Sequence, residues 1–139
     1  MSAHSVRIAL LTIWFVSLGL NLAIVLYLGL DHWIGQENFH EALTQLNSSY
    51  LPYVGVIVAF YFAHTPAPEG TVNRNNVAAG LALVASVVWN LAILALFVPL
   101  LFGRGFIEQS IRNTGFVGGL ISWLVAPAFG YYFARSQDH

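Results

Sequence analysis

The sequence predicts an all-α integral membrane protein with four transmembrane helices in a single domain over residues 1–139. Hydrophobic residues make up 58% of the chain and charged residues only 8%, whereas about a quarter of the residues of soluble domains are charged. The mean hydropathy is +0.70, and the apolar residues fall into long uncharged stretches. This composition excludes an ordinary soluble domain, and it also excludes a disordered chain, which needs low hydrophobicity and high net charge.

Three of the predicted spans are plain in the sequence. The first covers residues 8–30, which carry no charge and exceed the roughly 20 apolar residues that a helix needs to cross a hydrocarbon core about 30 Å thick. The third and fourth are expected over residues 77–103 and 114–134, the latter with Pro127 inside it.

The second span is less obvious, because the apolar stretch at residues 51–63 is only about 20 Å long at 1.5 Å per residue. The uncharged region reaches back to Ala42, so we expect the helix to begin there. A bend is expected at Pro52, since proline removes a backbone hydrogen bond and clashes with the preceding turn.

Short polar connections at residues 31–41, 65–76 and 103–113 separate the four spans. An even number of spans places both termini on the same side of the membrane. With the N-terminus in the cytoplasm, three of the five arginines lie inside and the acidic first connection lies outside. This distribution favours a multi-pass protein with cytoplasmic termini.

An internal repeat divides the chain into two helical hairpins, at about residues 6–64 and about 76–135. A serine, an asparagine four residues later and a following Leu-Ala-Ile occur twice at one offset, and the polar members of the pattern are Ser17, Asn21, Ser86 and Asn90. Each hairpin has an even number of spans, so both insert in the same direction. A pseudo-twofold axis along the membrane normal is therefore expected.

These four polar residues lie near the middle of the first and third spans, where a side-chain amide needs a hydrogen-bond partner. One interpretation is that they bind neighbouring helices and stabilise the bundle. The other is that they line a hydrated path, because neutral amides and hydroxyls can line a pore. Side chains fill the interior of a single four-helix bundle, so such a path would need several copies of the chain.

Small residues spaced four apart predict a helix-packing seam on the second and fourth spans. Its members are Gly55, Ala59, Ala63, Gly118, Ser122, Ala126, Gly130 and Ala134. In lipid, small side chains mark the places where helix backbones approach each other. The stripes thus predict a tight bundle or tight contact with another subunit, and the deep tryptophans Trp14, Trp89 and Trp123 are expected to pack.

Two patterns near the start of the second predicted span are candidates for a binding site. Glu37, His40 and Glu41 share one helical face, but a di-iron bundle needs two Glu-x-x-His motifs, so we expect a solvated face and no metal. The apolar residues Phe39, Leu43, Leu46 and Tyr50 form an amphipathic stripe. This stripe predicts a helix on the membrane surface that runs into the second span, or a docking face for a partner subunit.

Catalytic and cofactor motifs are not recognised in the sequence, and we expect neither an enzyme nor a cofactor. The absence of cysteine excludes thiol chemistry. The predicted spans contain no Asp, Glu, Lys or Arg, which argues against proton-coupled transport. A net charge of −1 gives no basic surface for nucleic acid.

The first functional hypothesis is a small oligomeric membrane protein that forms or gates a pore or perturbs the bilayer. The alternative is a non-catalytic accessory or assembly subunit of a larger membrane complex. A third hypothesis is a membrane enzyme or lipid carrier that uses loop residues such as Glu37 and His40. The expected partners are membrane lipids together with further copies of the chain or a larger membrane complex.

Overall fold

The structure, a computed structural model, describes residues 3–30, 34–63 and 76–135. Its regular elements are four α-helices and a short 3-10 helix (Val98–Phe102) that follows the third of them. The α-helices are α1 (Ala3–Leu30), α2 (Gln36–Ala63), α3 (Asn76–Phe97) and α4 (Ile107–Arg135). Within these ranges no strand is present, so the prediction of an all-α protein is confirmed.

Three helical segments are long and apolar enough to cross a membrane, namely Ser5–Leu30, Val77–Phe102 and Ile107–Phe133. They indicate a multi-pass membrane protein. With 28 residues, α2 is about 42 Å long at 1.5 Å per residue, and its N-terminal half is polar. A fourth span at α2 therefore stays a prediction.

The helices pack as a bundle in which α1 and α4 each contact both α2 and α3. In this order α1 lies diagonally across from α4, and α2 lies diagonally across from α3. Two hydrogen bonds fix the relation of α3 to α4: Trp89 Nε1 donates to the carbonyl of Gly118 at 3.3 Å, and Ser110 Oγ donates to the carbonyl of Leu96 at 2.9 Å. They show that α3 and α4 run in opposite directions.

The packing does not show the two-fold axis expected from the repeat. Such an axis places equivalent helices across a diagonal and at equal depth, yet α1 lies beside α3 and α2 beside α4. The Trp14 and Trp89 rings stack with centroids 4.8 Å apart, which joins residues separated by 75 positions. The repeat aligns Ser17 with Ser86, 69 positions apart, so α3 is shifted along α1 by about 9 Å from the expected register.

α2 and α4 begin earlier than the sequence suggested, because polar and charged residues form their first turns. α2 begins at Gln36 and α4 at Ile107, whereas connections to residues 41 and 113 were expected. Between α3 and α4 the chain turns at Gly103, whose φ of 66° suits glycine because it has no Cβ. These helices therefore extend beyond the apolar stretches that the sequence predicted as membrane spans.

The segment expected to lie on the membrane surface instead belongs to the bundle. α2 is continuous from Gln36 to Ala63, with Pro52 inside it. Leu46 and Tyr50 are fully buried, and the Phe39 ring lies against Gly29 of α1. The amphipathic stripe therefore packs against the other helices of the same chain, whereas the sequence predicted that it lies on the membrane surface or docks a partner subunit. Its continuation into the second predicted span agrees with the sequence.

Candidate functional site

An aromatic cluster fills the centre of the bundle, and every helix contributes to it. Its members are Trp14 of α1, Tyr50 and Tyr53 of α2, Trp89 of α3 and Phe129 of α4. Trp14 stacks on Trp89, while Tyr50 meets the face of Trp89 edge-on with centroids 4.8 Å apart. Such edge-to-face and offset contacts are the favoured geometries of aromatic pairs. The centre of the described bundle is closed by these rings.

A polar network joins α1 to α2 beside this cluster. Asn21 Nδ2 donates to the Tyr50 hydroxyl at 3.0 Å and to the backbone carbonyl of Ser17 at 3.0 Å. Ser17 Oγ lies 2.9 Å from the same Tyr50 hydroxyl. Two of the four predicted polar residues are thus brought together, and both bind a neighbouring helix through one tyrosine.

The equivalent pair on α3 bonds within its own helix. Ser86 Oγ donates to the carbonyl of Ala82 at 2.7 Å, and Asn90 Nδ2 donates to the carbonyl of Ser86 at 2.8 Å. Asn90 is buried, and its Oδ1 has no hydrogen-bond partner among the described residues. The described hydrogen bonds of Ser86 and Asn90 therefore do not reach Ser17 or Asn21.

A groove of about 520 Å³ opens between α1 and α3, and Asn90 is among the residues that line it. Its other lining residues are mainly apolar and include Ile13, Val16, Ser17, Leu20 and Leu91. The groove has the volume of a small-molecule site, for which about 300–1,000 Å³ is usual. It is a mainly apolar surface with three polar residues, Thr12, Ser17 and Asn90, among those that line it.

The predicted seam lies mostly on the outside of the chain. Gly118 is buried, and a Cβ there would meet Trp89 at 3.7 Å. Ser122 is half-buried and donates to the carbonyl of Gly118 at 2.5 Å. Four members are exposed, namely Gly55, Ala59, Ala126 and Gly130. The side chains of Ala63 and Ala134 lie outside the described residues.

A second groove, of about 650 Å³, runs between α2 and α4. Ala126 and Gly130 of the predicted seam leave room there between aromatic rings, which include Tyr53, Phe60 and Phe133. Phe60 stacks on Phe133 with centroids 3.9 Å apart. The small residues thus open a surface groove instead of closing a contact within the chain.

One surface of α2, which we call the α2 polar face, exposes Thr44, Asn47 and Ser48. Tyr50 binds Ser17 and Asn21 of α1, and Phe39 lies against Gly29, so this part of α2 is level with the C-terminal half of α1. There α1 exposes apolar side chains, including Leu20 and Leu26.

The metal-like pattern of the sequence lies at the start of α2. Glu37, His40 and Glu41 are exposed on the first turns of α2. Among the described residues, no group of three His, Cys, Asp or Glu side chains is placed to hold a metal ion. Asp31 and His32, just upstream, lie outside the described residues.

Reasoning from the sequence missed Tyr50 as a hydrogen-bonding residue and the α2 polar face as an exposed surface. It expected Trp123 to pack, but this side chain is 73% exposed, while Trp14 and Trp89 are buried as expected. No family model matches the chain, and no curated protein or solved structure matches it.

Proposed function

We propose that this chain is a small oligomeric membrane protein that forms or gates a pore between its copies. The observation that supports the proposal is the α2 polar face, whose hydroxyl and amide groups are exposed beside the apolar surface of α1. The hydroxyls of Thr44 and Ser48 already donate to backbone carbonyls of their own helix, so the amide of Asn47 carries this argument. An amide without a hydrogen-bond partner costs several kcal/mol in hydrocarbon, about 4–8 in cyclohexane. In a bilayer this face is therefore expected to meet water or a polar partner.

The proposed pore lies between copies because the inside of one copy is occupied. Trp14, Tyr50 and Trp89 are fully buried at the centre of the bundle and contact one another. Several copies with the α2 polar face turned inward would enclose a neutral, hydrated path. Uncharged hydroxyls and amides can line such a path.

This proposal includes four crossings, with α2 as the second span and both termini in the cytoplasm. It also includes the duplication of the helical hairpin, which is inferred from the sequence repeat. Asn21 and Asn90 each donate to the backbone carbonyl of a serine one turn earlier, which supports an equivalent local role. The two hairpins then differ in what they pack against.

The test is ion flux from liposomes that contain only the purified chain. We expect flux from the natural sequence and at least a severalfold reduction for Asn47→Leu combined with Ser48→Ala, because both changes remove polar groups from the proposed lining. Leu81→Ala, on the exposed surface of α3, is the matched control and should conduct as the natural chain does. Folded, correctly inserted protein that passes no ions overturns the proposal.

The alternative function, an accessory or assembly subunit, is supported by the exposed seam residues Gly55, Ala59, Ala126 and Gly130. Small side chains allow close approach of another helix, and that helix can belong to a different protein. Stable co-purification with a larger membrane partner, together with silent liposomes, would favour this role over the pore.

A further inference from the structure

Arg7 of α1 is a partly buried cation that has no counter-ion among the described residues. Its guanidinium hydrogen-bonds to the hydroxyl of Tyr132 on α4, and Tyr132 is 2% exposed. Its Nε is buried and has no hydrogen-bond partner within the described part of the chain. A tyrosine hydroxyl is neutral, so this contact orients the guanidinium but leaves its positive charge unbalanced.

The carboxylates that the structure describes all lie at the opposite end of the bundle. Glu37 and Glu41 are on the first turns of α2, and Glu108 is on the first turn of α4. α2 runs antiparallel to α1, because Phe39 lies against Gly29, and α2 and α4 end together, because rings of their last turns stack. α1 has 28 residues and is about 42 Å long, so most of this length separates the glutamates from Arg7.

Arg7 and Tyr132 lie at the depth of lipid headgroups. The apolar segment Ser5–Leu30 has 26 residues and is about 39 Å long, which exceeds a hydrocarbon core of about 30 Å. Arg7 is near the start of this segment, and Tyr132 is near the end of Ile107–Phe133. Tyrosine is enriched at this level of membrane proteins, and Tyr61 lies in the last turn of α2 at the same end. The anion closest to Arg7 in a bilayer is therefore a lipid phosphate.

We propose that Arg7 binds the phosphate of an anionic phospholipid and that Tyr132 positions its guanidinium. Arginine suits this ligand because its planar guanidinium makes two parallel hydrogen bonds to a phosphate. An anionic lipid is favoured over a zwitterionic one, in which the ammonium of the headgroup already balances the phosphate. The inference requires only that the apolar segments cross a bilayer, and it does not depend on the proposed pore.

The test is lipid retention by the natural chain in nanodiscs that contain phosphatidylglycerol and phosphatidylcholine in equal amounts and with the same acyl chains. Native mass spectrometry counts the lipids that stay bound after release from the nanodisc. We expect phosphatidylglycerol to be retained at least about fivefold over phosphatidylcholine, the effect of one cation at an anionic surface. Equal retention of the two lipids overturns the proposal.

Arg7→Gln removes the charge and should abolish this preference. Arg112→Gln is the matched control, because Arg112 is exposed on α4 at the opposite end and Glu108 one turn earlier can balance its charge. The control should retain the preference of the natural chain. Equal losses in the two variants would show a general attraction between arginine and anionic lipid, and the site at Arg7 would be wrong.

Two milder variants test how the guanidinium is used. Tyr132→Phe keeps the buried ring and should reduce the lipid preference by about two- to fivefold, the effect of one hydrogen bond. Arg7→Lys keeps the charge but loses the planar fork, so it should retain part of the preference. An unchanged preference in Tyr132→Phe would contradict the positioning role of Tyr132.

Thermal unfolding of the natural chain in detergent micelles gives a second measurement, which needs no variant to fold. Phosphatidylglycerol should raise the unfolding midpoint more than phosphatidylcholine or inorganic phosphate at equal phosphate concentration. Equal stabilisation by inorganic phosphate would assign the site to a soluble anion and overturn the lipid proposal, and stabilisation by none of the three would overturn the site itself. Lipid preference in a chain whose liposomes pass no ions would keep this site and remove the proposed pore.

Discussion

At the scale of single residues, Tyr50 takes part both in the polar network between α1 and α2 and in the aromatic cluster. Its hydroxyl binds Ser17 and Asn21 of α1, while its ring contacts Trp14 and Trp89. A hydroxyl at the edge of an apolar cluster must find partners when buried. Tyr50 therefore connects the polar network of the bundle to its aromatic centre.

We expect Tyr50→Phe to destabilise the folded protein by about 0.5–2 kcal/mol, because the ring stays while the interhelical hydrogen bonds are lost. The measurement is the free energy of unfolding in mixed detergent micelles. Tyr53→Phe removes a hydroxyl from the same aromatic cluster without touching the Ser17 and Asn21 contacts, and it serves as the control. Equal losses in the two variants would contradict the importance of the network.

The sequence could identify the two asparagines but not their partners. A buried amide must be hydrogen-bonded, so Asn21 and Asn90 stand out in any apolar helix. Tyr50, however, lies 29 positions from Asn21, and it occupies the last position of an amphipathic stripe that favours an apolar role. Only the packing of α1 against α2 shows that its hydroxyl faces Asn21.

At the scale of elements, α2 is one continuous helix that combines a polar N-terminal half with an apolar C-terminal half. The amphipathic stripe and the stretch at residues 51–63 were each recognisable. Their union into one helix across Pro52 was also predicted. What the sequence could not supply is the position of the polar half, which is set by its contacts with α1.

The Phe39 ring of α2 packs closely against Gly29 of α1, where an added Cβ would lie 2.5 Å from the ring. We expect Gly29→Ala to destabilise the protein by about 1–3 kcal/mol, the usual cost of overpacking. Thermal unfolding in detergent measures the effect.

Gly19→Ala is the control for that variant, because a Cβ there meets nothing within 4 Å. It should leave stability unchanged or raise it by up to about 1 kcal/mol through the better helix propensity of alanine. If Gly29→Ala behaved like Gly19→Ala, Phe39 would not pack where the structure places it.

At the scale of the whole molecule, composition alone was sufficient for the class of protein. Three apolar helical segments follow from stretches that any hydropathy argument would find. The order of the helices and their relative depth did not follow, because a repeat in sequence does not determine which face of each hairpin meets the other. The stack of Trp14 on Trp89 decides the register, and nothing local in either helix encodes it.

The four proposed crossings predict which connections lie on the same side of the membrane. Single cysteines at Gly35 and Arg104 should react with an impermeant maleimide from one side of the membrane, and a cysteine at Ala67 should react from the other. The cysteine-free chain gives no background labelling. Reaction of the Gly35 and Ala67 positions from one side, with the Arg104 position reacting from the other, would show that α2 does not cross, and the four-span topology would be wrong.

The aromatic centre also bears on how any opening would occur. Rings from all four helices interlock there, and close-packed interiors resist gradual deformation. In the proposed oligomer, each copy is therefore expected to tilt or rotate as one rigid body. Conductance would then respond to bilayer thickness and lateral pressure acting between protomers, since no hinge inside the bundle would be needed.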